Sequence, residues 1–553
     1  YIHKLTLSLL FPVVTRINKF IHATLFISAL FSLCLINSPA IAGKADELLG
    51  PAGYHGCDAL LDYDINVSTG NLCISSTDIV AFPALGPVLR FTRYYNSRGT
   101  ANNVGLGNGW THTFSWSVSM PNKKTVRLQT NTGRAIYFRF IRGSWVSPAG
   151  EFGTLTGTSK TGFVYTSKFG ITFTFDTIAN SGRILSITPA NNTAITVSYN
   201  SGTMINSVTS GGRSLTFSYS EGRISKIEDP SGNVCVYDIT DNLNAVTFSN
   251  TDDSGVHGQI NYLYQDIVVN GVTFSTGGNK SQLTRITQRQ TSEVAVDLGI
   301  FSYKQSKIVR TVSSAINEAF QNNVQLTYGQ VIKKQSTTTI TRTGRSTKTI
   351  TVSTISGHPR ITQIRATAEA GDEWTNAKLS WNTNRTIASI TDGNGIVTTF
   401  SNYDSKGNPR TIVEGSGSSL ARTIRVTYHP MLSAPMTISR LSVDGISQCT
   451  VTYDYDSDYG TDYNASPTNY PHQIIAAGKT DISLSGALES SVTHTSKIYY
   501  DSNHRITQVQ GANGNSVWMD YWPVDTNYDY DNDNRLKSVW VNPSGDTTIR
   551  RQF

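Results

Sequence analysis

No methionine precedes Met120, and no acidic residue precedes Asp46. Charge is scarce along the whole chain: Asp, Glu, Lys and Arg make up 15% of its 553 residues, against roughly 25% in an average soluble protein. Three of the seven net positive charges fall in the first 42 residues, on Lys4, Arg16 and Lys19. The rest are spread too thinly to form the Lys/Arg stripe that tracks a phosphate backbone, which argues against nucleic acid as a partner. No G-x-S-x-G, H-E-x-x-H, P-loop or dinucleotide fingerprint occurs. No C-x-x-C or Cys/His spacing suits a metal either. No residue is therefore assigned a catalytic, cofactor-binding or metal-ligating role, and no cofactor is expected.

Gly (45) and Tyr (26) are abundant, and Ser, Thr and Asn fill many of the intervals. Ala/Glu/Lys/Leu blocks that would build amphipathic helices are few. This composition suits β-strands joined by tight turns, and the expected fold class is all-β.

The N-terminus reads as an export signal. Arg16 and Lys19 form a basic region, Ala23–Ile36 an apolar run, and Ala40-Ile41-Ala42 a cleavage site before Gly43. The apolar run is shorter than the roughly 20 residues of a membrane span, so membrane contact is expected only during export. Tyr1 in place of Met leaves two readings, a non-Met start or a chain cut at its N-terminus, and the ending at Phe553 raises the same question at the C-terminus. In an oxidising compartment Cys57 and Cys73 would be near enough in sequence to close a small disulfide loop, or would remain two buried thiols. Cys235 and Cys449 have no evident partners.

A short grammar recurs along the chain. "YSEGRISKIEDPSGN" (219–233), "WNTNRTIASITDGNG" (381–395), "YDSKGNPRTIVEGSG" (403–417), "YYDSNHRITQVQGANG" (499–514) and "YDYDNDNRLKSVWVNPSG" (528–545) share it. An aromatic is followed by a turn, an Arg, two aliphatics three apart, and a second turn closed by Gly. The structural positions are Tyr219, Arg223 and Gly232; Trp381, Arg385 and Gly395; Tyr403 and Arg410; Tyr500, Arg505 and Gly514; Tyr530, Arg535 and Gly545. The ring ends a strand, and Asp opens turns by bonding the backbone ahead of it. Gly222, Asn384, His504 or Asn534 before the Arg suits a left-handed corner. Aliphatics three apart break strand alternation, so a bulge is expected between them. Each unit is a hairpin of about twenty residues that cannot bury its own face. Side by side, such hairpins form one continuous curved sheet.

These units resemble the YD repeats of the Rhs family, which includes bacterial Rhs proteins, the C-component of Tc toxins and the animal teneurins. The resemblance covers roughly residues 198–553 and matches poorly between about 255 and 371. Upstream, "STGN" at 68–71, "TD" at 77–78, "FTRYYNS" at 91–97 and "GLGNGWTH" at 105–112 resemble the N-terminal domain that precedes the repeats in many Rhs proteins. His112 lies in an aromatic strand, where a packed core His is the expected reading. The domain plan is then a signal with an upstream extension (1–42), a linker (43–62), an N-terminal β domain (63–197) and a repeat region (198–553), irregular between about 255 and 371.

The resemblance implies an exported or surface-held, non-enzymatic scaffold: the front part of a hollow toxin shell, with a C-terminal toxin encoded downstream as cargo. The alternative is an adhesion protein whose partner is a cell-surface glycan or protein. A secreted hydrolase on a β-scaffold is a third and weaker reading. The Asp-rich stretch Asp454–Asn464 reads as a solvated loop, with calcium binding as its alternative.

Overall fold

The computed structural model describes residues 65–552 apart from internal stretches, the longest of which are 274–280, 367–375, 455–477 and 522–535. The export signal, the 43–62 linker, Cys57 and nearly all of the Asp-rich stretch lie outside the described residues. The described part is all-β, with one short 3₁₀ turn at Ile178–Asn180.

Three strands come first: β1 (Cys73–Ala81), β2 (Leu89–Asn96) and β3 (Trp110–His112), in the order β1-β2-β3. A second small sheet comes next, from β4 (Ser117–Asn122) and β5 (Thr125–Gln129) to β6 (Ala135–Ile141) and β7 (Ser144–Val146). At β8 (Thr154–Thr158) a long sheet begins, and it continues to Ile549–Gln552 with each strand antiparallel to the next along the chain. A boundary was expected at residue 198, but no break falls there. Hairpins from Thr154 onward already join the ladder, because the strand ending at Phe175 meets Ile184 across a bulge of the kind the later repeats use.

The bulge explains the spacing of three. Ser218 faces Lys226 and Tyr219 faces Ile224, which leaves Ser225 as the extra residue. Strict alternation would send Ile224 and Ile227 to opposite faces. The extra residue resets the phase, and both side chains are fully buried. The same shift leaves Ala388 extra opposite Trp381, Met436 extra opposite Tyr428 and Thr507 extra opposite Tyr500.

The stretch between 255 and 371, expected to be irregular, instead continues the ladder. Strands run over Asp253–Asp266, Ser281–Arg289, Val296–Ser306, Lys348–Ile355 and His358–Ala366, among others. The bulge recurs where Tyr264 faces Leu283 and where Val352 faces Ile361. Leu283 with Ile286, and Ile361 with Ile364, are buried pairs three apart. The sheet needs the aliphatic pair and a bulky residue facing it. The Asp, Arg and Gly of the written repeat are turn chemistry that other loops replace.

The long sheet also meets itself. Lys168 O accepts hydrogen bonds from Lys406 Nζ (3.3 Å) and from Ser433 Oγ (2.9 Å), across 238 and 265 residues of chain. A Cβ on Gly407 would lie 2.4 Å from the Phe152 ring, and one on Gly150 would lie 3.1 Å from Arg385 Cδ. Loops around β8 and the strand after it therefore touch turns far along the same ladder. The sheet winds as a solenoid does, and a seam joins the early loops to the later ones.

Candidate functional site

The first three strands are packed on the long sheet. Their apolar residues Phe91, Tyr95, Leu106 and Trp110 belong to one core cluster with Phe217, Ile224, Leu283, Ile340 and Ile361. Polar contacts fix this docking. Gly105 O accepts from Ile224 N (2.9 Å), Asp241 O from Asn108 N (2.9 Å), and Val67 O from Thr338 Oγ1 (2.7 Å). Two close approaches use the glycines beside Trp110. A Cβ on Gly107 would lie 2.8 Å from the Asn242–Leu243 backbone, and one on Gly109 would lie 2.8 Å from the Tyr95 ring. Both have positive φ (84° and 83°), so glycine is required twice over.

At the centre, Arg93 makes a two-pronged ion pair with Asp78, at 2.5 and 2.8 Å, and both side chains are fully buried. Tyr237 OH donates to Asp78 Oδ2 (2.9 Å), and Arg93 Nη2 donates to Tyr262 OH (2.9 Å). The guanidinium carbon lies 5.0 Å from the Trp110 ring centroid and 5.2 Å from that of Tyr262. Trp110 Nε1 donates to Tyr264 OH (2.8 Å), and Leu283 N donates to Tyr95 OH (3.1 Å). Burial alone would lower the Arg93 pKa; Asp78 outweighs it and holds the group well above its usual range. The Tyr237 phenol is pushed up by burial and by Asp78. Asp78, Arg93, Tyr237 and Tyr262 come from four different strands, so this network locks β1 and β2 to the sheet wall. Asp78 sits beside the Thr77/Ile79 irregularity of β1, in the "TD" of the N-terminal resemblance, but its pairing with Arg93 was not read from the sequence. Its signal would have been an acid in an apolar strand preceding a buried-looking Arg.

His112 is buried, its ring centroid 5.1 Å from that of Phe91. Its Nδ1 accepts from Phe114 N (3.2 Å), and burial lowers its pKa to about 3. It is therefore a neutral packing residue, and the Ser115 hydroxyl beside it bonds the His112 backbone N–H and C=O. Cys73 is buried too, and its thiol meets Asn71 Nδ2 at 3.0 Å and Asn96 Oδ1 at 3.5 Å. Its proposed partner Cys57 is outside the described residues, as are Ala42 and Gly43. Cys235 Sγ lies 3.6 Å from Asp78 O, and burial raises its pKa.

The repeat positions occupy the turns and strand ends of the wall. Tyr219 sits near the end of Arg213–Ser220, and Arg223 opens the return strand Arg223–Glu228. Trp381 and Tyr403 end Lys378–Trp381 and Val397–Tyr403, and Arg410 lies in Pro409–Glu414. Tyr500 ends Thr493–Tyr500. Arg505, Gly514, Tyr530, Arg535 and Gly545 lie outside the described residues. Gly232 and Gly395 have φ of 78° and 81° and close turns led by Asp229 and Asp392, whose Oδ1 atoms each accept two backbone N–H bonds. Gly222 is left-handed as expected (φ 75°). In the unit at 381, however, the left-handed corner is Arg385 (φ 69°) and not Asn384. Asn384 instead accepts from Thr386 N through its Oδ1 (3.2 Å), a turn role that needs no positive φ.

The ring of each unit does more than pack. Tyr219 OH accepts from Ile205 N (2.9 Å), Tyr303 OH donates to Leu283 O (2.7 Å), Trp381 Nε1 to Ile361 O (2.8 Å) and Tyr428 OH to Pro409 O (3.0 Å). Tyr403 OH likewise donates to Ile387 O. In every case the partner is the residue that opens the aliphatic pair of the preceding hairpin. Packing logic explained the ring but missed its polar tip, which ties each hairpin to the one before.

Among the described residues, no cluster of three or more His, Cys, Asp or Glu could hold a metal ion. A family model described as a domain of unknown function (DUF6531) matches residues 62–138, the segment holding the docked strands and most of the second sheet. No curated protein matches the chain. Among solved structures, the chain is similar to the TcdB2-TccC3-Cdc42 crystal structure at 10% identity, with a TM-score of 0.36 over 87% of this chain and 27% of that one. A TcdB2-TccC3 structure without its hypervariable C-terminal region is similar at 10% identity, TM-score 0.32, over 87% and 31%. A porin-like protein from Bacteroides uniformis is similar at 14% identity, TM-score 0.20, over 41% and 92%. The chain thus spans less than a third of the length of either TcdB2-TccC3 chain.

Proposed function

We propose that this chain is an exported, non-enzymatic wall: a stretch of a hollow β-shell that encloses a toxin cargo. The observation that carries the reading is the long sheet itself. Its strands succeed one another in chain order without a crossover, and its early loops meet turns 238 and 265 residues further on. Winding of this kind is what an enclosure needs, and the docked strands pack against its wall. The buried polar groups support the same reading, because Asp78, the Nε and Nη2 of Arg93 and the His112 ring bond the wall and its docked strands, while Arg93 Nη1 has no hydrogen-bond partner.

The test is electron microscopy of the secreted full chain, coupled to protease protection of a small reporter fused after Phe553. A curved wall with an internal void, and a reporter spared until the wall is unfolded, is the expected result. A solid particle with the reporter digested at once would sink the proposal.

A further inference from the structure

The second small sheet has one end that packing leaves uncovered. Antiparallel pairing puts two tight turns there together, Lys123-Lys124 between β4 and β5 and Arg142-Gly143 between β6 and β7. Phe140 N donates to Lys124 O (2.9 Å) across that end. The turn at the opposite end is covered, with Thr130, Thr132 and Gly133 all buried. At the open end every residue of 121–124 and 139–144 is exposed. A Cβ on Gly143 would meet nothing within 4 Å, so the tip stands clear of neighbouring groups.

Two kinds of side chain share this end. From Ser117 to Val146 the chain carries Lys123, Lys124, Arg127, Arg134, Arg139 and Arg142 and no acid. Arg134 pairs with Glu151 (3.1 Å), and among the described residues no ion pair holds the other five. On β6 the buried Ile136 and Phe138 alternate with the exposed Tyr137 and Arg139. Ile141 and Val146 are exposed too, and Val146 stands opposite Arg139. Phe140 is also exposed, its ring 4.9 Å from that of Trp145. Arg142 is left-handed (φ 49°), a corner that glycine or asparagine fits better. The sequence places a charge at the tip in spite of that backbone cost.

We propose that this end of the sheet docks on an anionic lipid bilayer, with Lys123, Lys124, Arg139 and Arg142 among the headgroups and Phe140, Ile141 and Val146 entering the boundary below them. Cations and apolar side chains on one projecting end suit a surface that is negative outside and apolar just beneath. An acidic peptide added as a strand would need a free edge beside these cations, and β5 and β6 are paired on both sides. The docking does not rest on the shell reading, because a solid particle with this end would bind the same surface. It is also separate from the contact expected during export, which belongs to the signal at 1–42.

The test is co-sedimentation of the secreted chain with phosphatidylcholine vesicles that contain or lack phosphatidylglycerol. Binding should be at least about tenfold tighter with phosphatidylglycerol. Arg142→Gly relaxes the turn and so spares the fold, yet should weaken binding roughly fivefold. Ile141→Ser keeps every charge and should weaken it as well, which a purely electrostatic attraction would not predict. Leu420→Ser, which alters a more exposed leucine in a loop of the long sheet, should bind as wild type does. Equal binding to both kinds of vesicle would overturn the proposal, as would an Ile141→Ser variant that binds like wild type. Capture by polyglutamate with no sedimentation on vesicles would also overturn it, and would make this end a site for an acidic polypeptide.

Discussion

Replacing Arg93 by Met tests the docking network most directly. The substitution keeps the length of the side chain and removes its charge. Asp78 then stays fully buried with Tyr237 OH and a long bond from Ser76 Oγ (3.4 Å) as its surviving polar contacts, having lost both short bonds to the guanidinium. Stranding one member of a buried ion pair costs about 3–5 kcal/mol. Asp78→Leu strands Arg93 in the same way, with Tyr262 OH and two aromatic faces as partial compensation. The double variant strands no charge. It leaves the Tyr237 and Tyr262 hydroxyls short of a partner, at about 1–3 kcal/mol each, so its cost should fall well below the sum of the singles. The expected coupling is on the order of 3 kcal/mol. A chain of this size does not unfold in two states, so the measurement is native-state hydrogen exchange. It reads the local opening of β2 and of the Leu283 amide, whose hydrogen bond Tyr95 OH accepts. If the single variants open by less than about 1 kcal/mol, or if the double equals their sum, the pair does not hold the strands to the wall.

His112 should make docking acid-sensitive. Its folded pKa of about 3 lies below the ordinary 6.5, so the unfolded chain takes up the proton first. Docking stability is then full above about pH 6.5 and falls by roughly tenfold in equilibrium constant per pH unit down to about 3; His112→Asn should flatten that slope by one proton in pH-dependent exchange. Gly232→Ala should destabilise its hairpin more than Gly395→Ala destabilises its own, as read by native-state hydrogen exchange in the flanking strands. Both carry positive φ, worth about 1–2 kcal/mol, but only at 232 would the new Cβ meet a side chain, Thr251 Oγ1 at 2.3 Å. Equal costs would mean that the packing beside Gly232 plays no part. Tyr219→Phe should cost about 1 kcal/mol and speed exchange at Ile205, whose amide loses its acceptor; unchanged exchange there would refute the tether between hairpins.

The all-β class and the hairpin unit were legible because rings, turn residues and aliphatic pairs are local signals. The bulge was legible for the same reason, since Ile224 and Ile227 cannot share a face without one. The even course of the ladder through 255–371 was hidden because Asp, Arg and Gly, which shape turns, stand out in a sequence more than the aliphatic pairs that fill the core. The FTRYYNS and GWTH motifs could be recognised, but not their partners. Asp78 is brought to them by the pairing of β1 with β2, and Tyr237, Tyr262 and Leu283 by winding; nothing in the spacing of Arg93 and Tyr262, 169 residues apart, announces a hydrogen bond. The seam was invisible for the same reason.

The tie from each ring to the hairpin behind it has a consequence for how such a chain can change length. Every described tether spans a single hairpin, and among the described residues the seam reaches no further than Ser433, so a hairpin added or lost after it leaves the described seam in place. Between Lys168 and Lys406 the same edit would carry every later turn one place along the wall, and Gly407 would no longer arrive opposite Phe152. Tolerance of insertion is thus unequal along an otherwise repetitive sheet: the stretch between the two sides of the seam has a counted length.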